Sequence, residues 1–212
     1  MAKKAEPKPV FPQSYWVFGA DLSLRRPGFC RFRVDKTGGE PVITELYTDS
    51  VDNKTDTKKC HGQKLDEIFF GLGAFRPQKD VPDPEPVFFV REKGIHLTRS
   101  KATEGAIYEV VGVSNLWLWQ YKKEWFEINP QTVKLIITGD RNAEKNIVAD
   151  HLKLYVGDHP YANDDESDAT AVALAWLIQN GEIVNKLPPK PKQKKEKVTR
   201  NGESNQGESA AA

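Results

Sequence analysis

The sequence predicts a single α/β domain with a mixed five-stranded sheet flanked by helices. Three observations carry this prediction. β-rich runs near the N-terminus pair as a hairpin, a continuous apolar run is typical of a strand buried on both faces, and helical segments separate the later strands. A chain of 212 residues is long enough for one domain with a core of its own.

The first three strands are predicted from residue types and their spacing. Residues 15–20 form a β-rich apolar run, and residues 29–34 alternate with a period of two, so we expect them to pair as a hairpin. Lys36-Thr37-Gly38-Gly39 favours a turn, and residues 42–47 supply the third strand.

Helices and strands alternate through the middle of the chain. Residues 62–75 and 103–121 have apolar side chains at helical spacing, while the runs 87–90 and 125–128 indicate strands. The apolar residues of the 103–121 helix cover more of its circumference than one core-facing stripe uses. A second buried face of this kind suggests a partner subunit.

Two further helices are predicted near the C-terminal end. Asn142 is expected to cap a helix that runs to about Val156, and the last helix is expected over residues 165–179. Asn129-Pro130 is expected to end the fifth strand. The apolar run 133–138 follows, and for it we predict neither a helix nor a strand.

Both chain ends are predicted to be disordered tails, which leaves residues 14–185 as the folded domain. Residues 1–13 are rich in Lys and Pro, and residues 186–212 contain almost no apolar side chains. The net charge of +1 divides into +2 for residues 1–9, +4 for residues 186–212 and about −5 for the rest. The Lys-rich C-terminal tail can tether DNA nonspecifically or can simply keep the chain soluble.

Composition excludes several classes of protein. Two cysteines, Cys30 and Cys60, are too few for a secreted disulfide framework, and their spacing does not match a zinc site. The sequence has no run of eighteen apolar residues and no apolar signal segment. We therefore expect free thiols, no membrane partner and a cytoplasmic location, in a bacterial cell or a phage-infected host.

Acidic side chains crowd the start of the last helix. Asp165 and Asp168 share a helix face, and Asp164 lies nearly on it. Such acids can simply cap the helix and complement its dipole. A divalent metal site becomes the better interpretation if other acids converge there, and Asp21 and Glu92 each follow a predicted central strand, where functional groups of α/β sheets gather.

Four motifs resemble, in order and spacing over residues 15–178, the RuvC family of Holliday-junction resolvases. They are Gly19-Ala20-Asp21-Leu22-Ser23 with Gly28; Glu92 after a hydrophobic strand; Thr132-Val133-Lys134 with Gly139 leading to Ala143-Glu144-Lys145; and Asp165-Glu166-Ser167-Asp168-Ala169. The resemblance implies a ribonuclease H-like fold and a homodimer, which we expect to form through the 103–121 helix. It also implies metal-dependent nicking of branched DNA, especially four-way junctions.

The resemblance also implies a ligand set. In such enzymes four acids bind two divalent ions, and the matching positions here are Asp21, Glu92, Asp165 and Asp168. Hard oxygen ligands suit Mg²⁺, with Mn²⁺ able to substitute, and two such ions can activate water and stabilise the departing 3′ oxygen. Lys145 and Lys134 match basic positions near the active site, where a lysine can neutralise developing charge. Alternatively, Lys145 merely solvates the first turn of its helix.

Some positions depart from the family pattern or stay open. Ile95-His96 stands where an aromatic wedge is often found, and Asp164 competes with Asp165 as the third ligand. His159 lies near the acids, but its context indicates a loop. Charge and position, and no motif, suggest phosphate contacts by five residues: Arg25, Arg26, His96, Arg99 and Lys101.

Other functions use similar patterns. RNA-processing nucleases and fork or flap nucleases share this layout of acids, and a junction-binding protein without catalysis is a further alternative. Gly19-x-Asp21 with Gly28 also resembles the phosphate loop of actin-like ATPases, although such a protein needs a second phosphate loop and a much longer chain. The presence of all four acids favours the nuclease.

Overall fold

Residues 9–55, 58–74, 85–94 and 101–187 are described by the computed structural model, apart from the side chains of residues 101–103. The described part of the chain forms five strands and five helices. In chain order these are β1 (Ser14–Asp21), β2 (Gly28–Asp35), β3 (Val42–Ser50), α1 (His61–Ala74), β4 (Val87–Glu92), α2 (Lys101–Trp119), β5 (Trp125–Ile128), α3 (Pro130–Thr138), α4 (Lys145–Val156) and α5 (Asp164–Gln179).

The strands form one mixed sheet in the order β3-β2-β1-β4-β5. β1, β2 and β3 pair antiparallel, whereas β4 pairs in parallel with both β1 and β5. The predicted five-stranded mixed sheet is therefore confirmed. Because Ala20 pairs with Arg91 in the parallel β1–β4 ladder, the next residues, Asp21 and Glu92, end neighbouring strands at the same edge.

Helices cover both faces of the sheet. Tyr15 and Val17 of β1 belong to a core that includes residues of α3, α4 and α5. Phe18 and Ala20 belong to a second core with residues of α1 and α2. Successive strand residues point to opposite faces, so a central strand covered on both sides is apolar throughout, as β1 is.

α5 is almost wholly buried and lies very close to the sheet. An added Cβ at Gly19 would lie 2.5 Å from the Ala169 carbonyl oxygen, and one at Gly28 would lie 1.9 Å from the Asp165 carbonyl oxygen. Both glycines are thus required by the contact between the β1–β2 hairpin and α5. Helix packing explains them without a phosphate loop, which removes the main support for the ATPase alternative.

Several boundaries differ from the predicted ones. Residues 133–138, for which the sequence predicts no helix or strand, belong to α3, where Pro130 occupies the first turn and the Asn129 side chain caps the helix. Pro130 therefore starts a helix instead of only ending a strand, because its missing N–H is not needed in a first turn. The N-terminal cap of α4 is Glu144 and not Asn142, whose backbone N–H donates to Asp140 in a turn.

Part of the predicted N-terminal tail belongs to the folded domain. Phe11, in the predicted N-terminal tail, packs against Tyr15, Phe88 and Trp176, so the folded region begins before residue 14. Residues 1–8 and 188–212, which hold most of both predicted tails, lie outside the described residues.

Cys30 is buried, Cys60 is exposed, and both are free thiols. Within the described ranges, no helix combines the length and the apolar character needed to cross a membrane.

Candidate metal centre

The structure brings together acids from distant parts of the sequence. Asp21 ends β1, Glu92 ends β4, and Asp165 and Asp168 lie in the first turns of α5. Carboxylate oxygens of Asp21, Asp165 and Asp168 all lie within 4.8 Å of one another. A cation could contact all three, because hard divalent ions bind carboxylate oxygens at about 2.0 to 2.6 Å.

Glu92 lies in the same pocket and shares a hydrogen bond with Asp21. The pocket has a volume of about 250 Å³, and Asp21, Glu92 and Asp168 form its acidic part. Lys134 and Lys145 add positive charge to its lining, while the remaining wall is apolar: Pro130, Val133, Val148, Ala171 and Val172. The apolar wall lowers the local polarity, which strengthens electrostatic interactions inside the pocket.

Burial and mutual repulsion hold the pKa values of three carboxyl groups above their usual range. The pKa of Asp21 is raised well above its ordinary value, first by burial and then by the charge of Glu92. Burial likewise raises the pKa of Glu92 and that of Asp168, with further repulsion from neighbouring acids. Positive charge in the pocket thus compensates only part of the negative charge of the acids, and a divalent cation would compensate the rest.

These pKa shifts predict how pH and Mg²⁺ change stability. Above the ordinary carboxyl pKa of about 4, the folded state holds protons that the unfolded chain has released. Stability from these groups is thus present at low pH and is lost as pH rises through their raised pKa values. We expect Mg²⁺ to raise the Tm more at pH 8 than at pH 5, measured by scanning calorimetry; equal shifts at both pH values would contradict this.

Lys145 is the basic side chain that contacts the acids most directly. Its Nζ lies 2.6 Å from Asp168 Oδ2 and 3.5 Å from Asp165 Oδ1. Burial alone would lower the pKa of Lys145, but the hydrogen bond and charge of Asp168 outweigh it and raise the pKa. Lys134 lines the pocket and donates from Nζ to the Ala143 carbonyl oxygen at 2.8 Å, which links α3 to the residues before α4.

The predicted DNA contacts have different surroundings. Arg25 is exposed. Arg26 Nη2 lies 3.2 Å from Asp52 Oδ2, and its Nε lies 3.8 Å from Asp165 Oδ2, so ion pairs hold this guanidinium at the edge of the acid cluster. His96, Arg99 and the expected wedge position at Ile95-His96 lie outside the described residues, as does the side chain of Lys101, the first residue of α2.

The structure bears on two questions that the sequence leaves open: whether Asp164 or Asp165 is the third ligand, and where the His159 side chain points. Asp165 belongs to the group of converging carboxylates, whereas Asp164 is exposed and does not. His159 Nε2 lies 3.1 Å from Thr48 Oγ1, which directs its ring to β3. The motif at the start of α5 gives no role to Glu166, but its side chain is 5% exposed and contacts β3. Nothing local in the sequence signals this contact, because it joins residues more than a hundred positions apart.

Known proteins with similar sequences match part of this chain. No family model matches it. RuvC of Rickettsia massiliae, a crossover junction endodeoxyribonuclease, is 32% identical over 91 residues, which are 42% of this chain and 54% of the relative. The same enzyme of Brachyspira hyodysenteriae is 39% identical over 83 residues, 38% of this chain and 51% of the relative. The chain thus spans about half the length of the curated relatives it matches.

Solved structures match a larger share. The structure of Thermus thermophilus RuvC aligns with a TM-score of 0.56 at 18% identity and covers 79% of this chain and 97% of that one. This chain has the fold of RuvC. T. thermophilus RuvC in complex with a Holliday junction substrate gives the same TM-score, covering 76% of this chain and 92% of that one. The predicted ribonuclease H-like fold and the resemblance to RuvC are confirmed.

Proposed function

We propose that this protein is a metal-dependent, structure-selective DNA endonuclease that nicks Holliday junctions and other branched DNA. The observation that carries the proposal is the convergence of Asp21, Asp165 and Asp168 within 4.8 Å, beside Glu92, at the carboxyl ends of β1 and β4. The similarity to enzymes named crossover junction endodeoxyribonucleases supports it. Arg26 lies at the edge of the site beside Asp165, and Arg25 is exposed next to it in the sequence, so both can contact phosphates of a bound strand.

The residues present fit a pair of Mg²⁺ ions, with Mn²⁺ as a substitute. Asp21, Glu92, Asp165 and Asp168 offer only hard oxygen donors, which these ions prefer. When bound, the ions supply Lewis acidity for hydrolysis of a phosphodiester by water. The four carboxylates would bind and fix the ions, and the apolar wall of the pocket would limit the entry of bulk water.

Lys145 and Lys134 are proposed to assist through charge alone. Lys145 lies beside Asp165 and Asp168 at the open side of the site, with 48% of its side chain exposed, so it can approach a phosphate as negative charge develops there. Lys134 lies in the pocket lining, and its charge favours the ionised form of Glu92. No covalent nucleophile is required from the chain.

We also propose a homodimer that forms through α2. Tyr108, Leu116 and Trp119 are 50%, 54% and 73% exposed, and their spacing places them along one side of the helix. Large exposed apolar side chains in a row are typical of an interface. Sedimentation equilibrium should give a dimer for the wild type and a monomer for Trp119→Glu; a monomeric wild type would contradict the proposal.

Nicking of defined DNA structures tests the proposed function. A labelled four-way junction, a Y-fork and a linear duplex of matched sequence are incubated with the protein and Mg²⁺, and Asp21→Asn is the control. Paired, symmetric nicks in the junction support a resolvase. Equal or better cutting of the fork would indicate a broader debranching nuclease, and binding of the junction without any cutting would contradict catalysis.

A further inference from the structure

One acid of α5, Glu166, points towards β3 and not into the pocket of the metal centre. Glu166 Oε2 accepts hydrogen bonds from Thr48 Oγ1 at 2.7 Å and from the Ala162 backbone N–H at 3.2 Å. Its Oε1 accepts from Ser50 Oγ at 3.3 Å. Three neutral donors therefore satisfy a carboxylate that is only 5% exposed.

Asn163 joins the same contact. Its Oδ1 accepts from the backbone N–H groups of Asp165 and Glu166, which caps α5, and its Nδ2 donates to Ser50 Oγ at 2.6 Å. Thr48 and Ser50 belong to the edge strand β3, so these four side chains, Thr48, Ser50, Asn163 and Glu166, join β3 to the start of α5. We call this set the β3–α5 link.

The β3–α5 link contains more than helix capping needs. Asn163 already caps the helix through two backbone N–H groups. A buried carboxylate loses its hydration, which costs free energy. A protein with an apolar residue in its place would therefore often be equally stable. Hydrogen bonds are, however, directional, so they fix the position of the helix more narrowly than apolar packing does.

The direction of Glu166 relates it to the metal centre. Neighbouring residues of a helix point about 100° apart, so Glu166 can face β3 while Asp165 and Asp168 face the pocket. Asp165 and Glu166 lie in the first turn of α5, and Asp168 lies one turn after Asp165 on the same face. Because α5 is continuous, rotation of its first turn about the helix axis would displace Asp168 together with Asp165, and metal ligands must be held within about 0.5 Å of their working geometry.

We propose that Glu166 is a positioning residue of the metal centre: through Thr48 and Ser50 it fixes the rotation of the first turn of α5 and so holds Asp165 and Asp168 in place for a divalent cation. The inference rests on the proposed function, because it assumes that these aspartates bind the cation. Glu166 itself stays on the β3 side of the helix and binds no metal. Gly28 supports the same turn from the β2 side, against the Asp165 carbonyl oxygen.

Mg²⁺ affinity of the full-length protein, measured by titration calorimetry, tests the inference. Glu166→Ala should weaken Mg²⁺ binding about 10- to 100-fold, the usual effect of removing a group that orients metal ligands. Thr48→Val, which keeps the side-chain shape and removes the shortest hydrogen bond to Glu166, should weaken it less but in the same direction. Glu166→Gln should fall between the wild type and Glu166→Ala, because its amide oxygen still accepts one hydrogen bond.

Tyr15→Phe is the matched control. It removes another partly buried hydrogen bond to a carboxylate, from Tyr15 Oη to Glu182, just beyond the far end of α5. This variant should lose stability to urea and keep the Mg²⁺ affinity of the wild type. Wild-type affinity in Glu166→Ala and Thr48→Val would overturn the inference alone. A wild-type protein that binds no divalent ion would overturn both the inference and the proposed function.

Discussion

Replacing Asp21 with Asn should abolish nicking and at the same time stabilise the metal-free protein. Asn keeps the shape of the side chain but lacks the charge that a divalent cation requires. Loss of about 4 kcal/mol of transition-state stabilisation corresponds to a rate about a thousandfold lower. Because burial and Glu92 raise the pKa of Asp21, removing its charge should increase the free energy of unfolding of the metal-free protein at pH 8.

Single-turnover nicking of a four-way junction and urea denaturation without metal measure the two effects of Asp21→Asn. Asp66→Asn, at an exposed position of α1, is the matched control and should change neither quantity. Slower nicking together with a higher free energy of unfolding would show that Asp21 serves function at the expense of stability. A nicking rate within tenfold of the wild type would contradict its assignment as a metal ligand.

Replacing Gly28 with Ala should have the largest effect on the fold near the site. The new Cβ would lie 1.9 Å from the carbonyl oxygen of Asp165 and 2.3 Å from its carbonyl carbon, both backbone atoms of α5. The hairpin and the helix must then separate, which we expect to cost about 3 kcal/mol of stability. Asp165 would move with the helix, so Mg²⁺ affinity should fall as well.

Gly38→Ala is the control for Gly28→Ala. Gly38 lies in the β2–β3 turn, where an added Cβ meets no atom within 4 Å. Its replacement should leave stability nearly unchanged or slightly raised, since Ala restricts the unfolded chain. Urea denaturation and calorimetric titration with Mg²⁺ compare the two variants. Equal stability of both would show that α5 does not pack against β2 as closely as described.

The sheet and the main acids could be predicted because their signals are local. The alternating run of β2 and the continuous apolar runs of β1 and β4 define strands within a few residues each. Once β1 and β4 are taken as parallel neighbours, Asp21 and Glu92 must share one edge. The i, i+3 spacing of Asp165 and Asp168 likewise needs only a helix.

Other features depend on contacts that no short segment reveals. The run in α3 is short enough to fit a strand or a helix, and the choice is made by packing of Val133 and Ile137 in the core. The ion pair between Arg26 and Asp165 and the β3–α5 link join residues far apart in sequence. Which residues pair in these contacts depends on how closely α5 packs on the hairpin. Local sequence patterns do not indicate that distance.

Direct observation of bound metal would show whether these acids form a divalent metal centre. Crystals of the full-length protein soaked in Mn²⁺ would show its position by anomalous scattering. We expect density peaks among the carboxylates of Asp21, Glu92, Asp165 and Asp168, and none at this place in crystals of Asp21→Asn. Mn²⁺ bound elsewhere in the wild type, with no peak among these four carboxylates, would contradict their assignment as the metal centre.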